Sequence, residues 1–94
     1  MPYIKQEIRK ELDKEIDNLI AIIFELGASS VEPFKRDSAI NYIITRIISA
    51  FYNKSSYEIM QRGIGVLECA KQEFYRRVMI PHEEQKKEEN GDVY

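Results

Sequence analysis

The sequence predicts an all-α protein: three amphipathic helices in a small bundle, followed by a polar C-terminal extension. Three observations predict it. Apolar residues recur at steps of three and four along most of the 94-residue chain. Residues that break helices gather between those periodic stretches. The most apolar stretch, Ile40 to Phe51, sorts onto one face only when wound as a helix. The expected helices cover about residues 4–26, 38–53 and 56–79. Residues 1–80 then form one helical domain, and residues 81–94 a polar helix or tail.

In the first helix the periodic apolar positions are Ile4, Ile8, Leu12, Ile16, Leu19, Ile20, Ile23 and Leu26, with charged or amide side chains filling the gaps as far as Asn18. From Leu12 onward the spacing is four-three-four-three, a heptad seam suited to packing on another helix. Gly27 is expected to close the helix as a left-handed cap. The stretch "GASSVEPFKRD" has no period and reads as a loop, with Val31 or Phe34 expected to tuck onto the core.

Read as a strand, "NYIITRIISAFY" mixes polar and apolar residues on both faces. As a helix, Ile40, Ile43, Ile44, Ile47, Ile48 and Phe51 form one continuous stripe, with Asn41, Thr45 and Ser49 opposite. Isoleucine's weaker helix propensity costs only tenths of a kcal/mol per residue, which burial of the stripe outweighs. Asp37 or Ser38 is the expected N-cap. After "NKSS", Ser55 and Glu58 match a capping box. A third helix follows with Met60, Ile64, Leu67, Ala70, Phe74 and Val78 inward, ending before Pro81. Its Gly63 and Gly65 each cost about 1 kcal/mol against alanine, and a close helix contact or an irregular first turn would explain them. In the tail, Glu83 and Lys87 are spaced to support a short helix.

A chain of this size holds a small core. At 44% hydrophobic and 32% charged residues it is ordinary for a soluble globular protein. No apolar run is long enough to span a bilayer, and the charged N-terminus lacks a signal peptide's apolar stretch, so a cytoplasmic setting is expected. The net charge of −2 argues against general nucleic-acid binding. A single cysteine, Cys69, and a single histidine, His82, leave no internal disulfide and no zinc pattern. No cofactor is implied.

The segments "MPYIKQEIRKELD", "AINYIITRI" and "GVLECAKQEFYRRVMIPHEEQKKEENGDVY" together resemble a family of small proteins, bearing a domain of unknown function, found in bacteria, some archaea and their phages or prophages. The resemblance spans nearly the whole chain and is weakest between Gly27 and Asp37. It implies a cytoplasmic setting and a mobile-element origin, and it marks "EENGDVY" as a family feature. It supplies no catalytic or binding residue.

Read from the residues themselves, Cys69 adjoins the face of Leu67 and Ala70 and has no histidine nearby in sequence, so it reads as a core or boundary thiol rather than a nucleophile. Glu68 and Lys71 read as a surface ion pair. The acids Glu7, Glu11, Asp13, Glu15 and Asp17 would suit a magnesium-dependent nucleotide hydrolase only if a second acidic helix faced them, and the second helix has no acid after Ser38. They read as a solvated face, and His82 as a surface residue. No catalytic or metal-binding residue is assigned. The candidate binding residues are Tyr42, Arg46, Tyr75, Arg76 and Arg77, because tyrosine and arginine anchor protein interfaces and also suit stacked bases and phosphates.

The apolar stripes exceed what three short helices hide, which predicts a homo-oligomer, most simply a two-fold dimer. The first functional expectation is a non-catalytic interaction or oligomerisation module of phage or prophage origin, with a host or phage protein as a further partner. The alternative is an oligomeric binder of a small anionic nucleotide-type ligand held at subunit interfaces. A metal-dependent nucleotide hydrolase comes third.

Overall fold

In the computed structural model, residues 2–28 and 35–94 are described. The architecture is all-α, as the sequence predicts: α1 (Gln6–Ala28), α2 (Lys35–Tyr52), α3 (Tyr57–Phe74), a π-helical turn (Tyr75–Met79) and α4 (Ile80–Asn90). The described residues include no strand. The expectation for Val31 and Phe34 lies outside the described residues.

α1 and α2 form an antiparallel hairpin. At its loop end the Arg36 guanidinium donates to the Phe24 carbonyl at 3.1 Å and lies 5.0 Å from the Phe24 ring centroid. A cation there complements the negative end of α1. At the other end, α3 meets Tyr52 through Gly63, while Pro2 lies against Val66, Cys69 and Ala70. α3 thus meets α2 directly, and on the α1 side it meets only the segment that precedes that helix.

Gly63 is the buried residue of α3, and a Cβ placed on it would sit 2.8 Å from Tyr52 Cβ and 2.9 Å from Tyr52 Cγ. A close helix contact therefore explains this glycine. Gly65 has no such reason, since a Cβ there would meet open space.

Several local expectations are corrected. α1 continues to Ala28, so Gly27 lies within the helix. α2 begins at Lys35, placing Asp37 in its first turn rather than at its cap. The capping box does not form: Ser56 is the N-cap of α3, with extended backbone and no side-chain bond to the helix. Its carbonyl instead accepts from the Met60 N–H at 3.0 Å.

The largest correction concerns Pro81. The third helix does not stop before it, because Phe74, Tyr75, Met79 and Ile80 all keep right-handed helical backbone. The segments of 18, 5 and 11 residues join into one rod. At 1.5 Å per residue it is about 50 Å long, matching the molecule's longest extent of 48 Å. In a regular α-helix, the proline ring would collide with the Arg77 carbonyl and leave it without a donor. Here the Ile80 N–H reaches back five residues to Tyr75. The wider turn inserts one residue's worth of slack just before the proline, which then occupies the first turn of α4. α4 packs on no other helix among the described residues. Its ion pairs are Lys86–Glu89 and Lys87–Glu84, both 3.1 Å, rather than Glu83–Lys87.

The expected small core is missing from the single chain: no apolar side chain is buried among the described residues. Leu19, Ile23, Ile43 and Ile48 are only half-buried. The residues expected to point inward from α3 are open, with Ile64 67% exposed. The radius of gyration is 17.2 Å, whereas a compact chain of this length has about 12 Å.

Candidate functional site

The five candidate residues fall in two places. Tyr42 and Arg46 stand one turn apart on α2, where helical spacing brings their side chains together. The Arg46 guanidinium donates to the Tyr42 hydroxyl at 2.9 Å and lies 5.7 Å from the ring centroid. Arg46 is thus engaged within its own helix. Tyr42 also borders a shallow depression of about 530 Å³ with Asp37, Ser38, Asn41 and Thr45.

Tyr75, Arg76 and Arg77 lie on the π turn. Tyr75 and Arg76 line an open concavity of about 720 Å³ with Pro2, Cys69, Glu73 and Ile80, and Arg77 is not part of its wall. Arg76 forms an ion pair with Glu73 at 2.6 Å. The Tyr3 hydroxyl donates to the same Glu73 oxygen, clasping the N-terminal segment onto α3. The Tyr3 hydrogen bond, followed by that from Arg76, holds the Glu73 carboxyl below the ordinary range. Glu73 in turn raises Arg76.

Sequence reasoning missed Tyr3 and Glu73 as a pair. Nothing in the local pattern signals a contact between residues 70 apart, and only the arrival of Pro2 beside α3 creates it. The expected Glu68–Lys71 ion pair is present at 3.4 Å. Hydrogen bonds from Gln72 and then Lys71 lower the Glu68 carboxyl. Cys69, expected in the core or at its boundary, is instead exposed in the single chain. It lies on the concavity's wall with Pro2, because α1 itself makes no contact with α3 that would cover it.

The described residues contain no cluster of three or more histidine, cysteine or carboxylate side chains able to hold a metal ion. None of their helices is long and apolar enough to cross a membrane. Within one chain, the Tyr42–Arg46 pair and the Tyr75–Arg76 concavity are separate surfaces, each with its cation already partnered.

Fold and surface together define a small all-α protein of open helices with paired surface charges. The chain belongs to the family described as "Domain of unknown function (DUF6899)", whose model matches residues 1–93. No curated protein and no solved structure matches it.

Proposed function

We propose that the protein is a non-catalytic helical interaction module that works as a homo-oligomer and completes its hydrophobic core against other copies of itself. One observation carries this reading: among the described residues, the single chain has no buried apolar side chain. Its accessible surface is 8727 Å² for a mass of 11.1 kDa. A compact monomer of that mass exposes about 5,700 Å². The surplus of roughly 3,000 Å² per chain is at least as large as the share each partner gives up in an obligate homo-oligomer interface.

The phage or prophage setting and a host or phage protein as further partner belong to the same proposal, on the strength of the sequence resemblance. A nucleotide-type ligand would need Tyr42, Arg46 and Arg76 to converge across a subunit interface. Both arginines would first have to leave partners they already hold. The module reading makes no such demand.

Native mass spectrometry of the protein purified from its own host tests the proposal. The expected spectrum shows a defined multiple of the chain mass, with or without a second protein and without a bound small molecule. A monomer at every concentration would defeat the reading. A retained nucleotide at one per interface would favour the ligand reading instead.

A further inference from the structure

We infer that the open apolar face of the α1–α2 hairpin seats on the same face of a second copy, closing a four-helix bundle with the two α2 helices in its core. The inference rests on the oligomer reading above and adds which surface makes the contact.

The face is built from two ladders. On α2, Ile40, Ile44, Ile47 and Phe51 follow the four-three-four spacing of a helix-packing seam, and they remain 43%, 43%, 52% and 69% exposed. On α1, Ile8, Leu12, Ile16 and Ile20 recur every four residues and are similarly open. Ile20 and Ile40 line one apolar groove of about 180 Å³ between the helices. In an antiparallel pair, stepping back along one helix keeps level with stepping forward along the other. From the Ile20–Ile40 level, Ile16 comes level with Ile44, Leu12 with Ile47 and Ile8 with Phe51. The ladders therefore run side by side as one surface.

Charge distribution separates this face from its rival on α3. From Ser38 to Tyr52, α2 has a single charged residue, Arg46, and that is bonded to Tyr42. An apolar stripe of this width on an amphipathic helix is normally turned toward a packing partner. The open residues of α3, including Met60, Ile64 and Phe74, instead alternate with Arg62, Glu68, Lys71 and Glu73. With about half of each of the eight hairpin side chains still open, on the order of 80 Å² apiece, two copies would hide about 1,300 Å². That lies within the range of specific interfaces.

The test compares the native chain with Ile44→Glu, Ile47→Glu and Ile64→Glu by light scattering, with far-UV circular dichroism on the same samples. The expected result is a dimeric native chain, loss of the dimer in both α2 variants, and its retention in Ile64→Glu. A carboxylate on α2 could also unfold a chain whose core lies in the interface, so a second measurement keeps the inference exposed. In a Cys69→Ser background, a short bis-maleimide should join two copies through Ile47→Cys and not through Ser49→Cys, on the opposite side of α2. A dimer that survives both α2 charges, or that cross-links equally at position 49, overturns the hairpin interface and leaves the oligomer reading standing. A native chain that is monomeric throughout overturns both.

Discussion

The two glycines of α3 offer a matched perturbation, because they share a helix and a propensity cost while their surroundings differ. Replacing either with alanine relieves about 1 kcal/mol of helix propensity. At Gly65 nothing opposes that gain, since the new methyl meets open space. At Gly63 the methyl lands 2.8 Å from Tyr52 Cβ and 2.9 Å from Cγ. Those atoms sit at the root of the side chain and cannot swing aside, so α2 and α3 must separate. Forcing a methyl into a packed contact costs typically about 1–3 kcal/mol. Gly65→Ala should therefore be more stable than Gly63→Ala by about 1–3 kcal/mol. For a domain of this size, that amounts to roughly 4–20 °C in melting temperature. Thermal unfolding followed by circular dichroism, at one fixed protein concentration, measures the difference. Equal stabilisation of the two variants would refute the close α2–α3 contact.

Other outcomes follow from the same geometry. The unfolding midpoint should rise with protein concentration, each tenfold increase adding about 1.4 kcal/mol for a two-state dimer, and a concentration-independent midpoint would contradict the oligomer. Pro81→Ala restores a donor for the Arg77 carbonyl, so amide exchange by mass spectrometry should slow across residues 75–85; unchanged protection would show that the proline is not what holds the π turn. The depressed Glu73 carboxyl stabilises the clasp fully above the ordinary carboxylate range and progressively less as pH falls through its lowered value. Carbon-detected NMR titration should therefore show the Glu73 pKa moving up in Tyr3→Phe, and an unmoved value would discount the Tyr3 hydrogen bond.

The helices were legible because burial patterns follow a period of 3.6 residues even when the burying surface is missing. The Ile40–Phe51 stripe announced α2 whether or not anything covers it. What the pattern could not convey is which molecule does the covering: Ile44 and Ile64 both read as inward, and both are open in the chain. Caps were less legible than stripes. Ser55 and Glu58 have the right spacing, but Ser56 is where the backbone turns into the helix. Pro81 misled for a physical reason, since proline forbids one hydrogen-bond register and a π turn offers another. Among the candidate residues, Tyr42 and Arg46 were legible as neighbours because one turn separates them. The meeting of Tyr3 with Glu73 depends on the path of the entire chain.

The open face of α2 is tied to the straightness of the rod. Two helices flanking α2 could in principle cover both its sides, and α1 takes one. α3 meets α2 where Gly63 lies on Tyr52, near the end of that helix. From there it runs on without a break through the π turn into α4. Were the helix to end before Pro81, the following segment could turn back toward the hairpin. The π turn removes that possibility by keeping the helix intact past the proline. A rod of about 50 Å also overshoots an 18-residue helix, which is about 27 Å long. α4, with its mostly charged and amide side chains, has little apolar surface to offer even if it did fold back. The second side of α2 is thus left for something outside the chain. A second copy brings a face of the same length and apolar spacing.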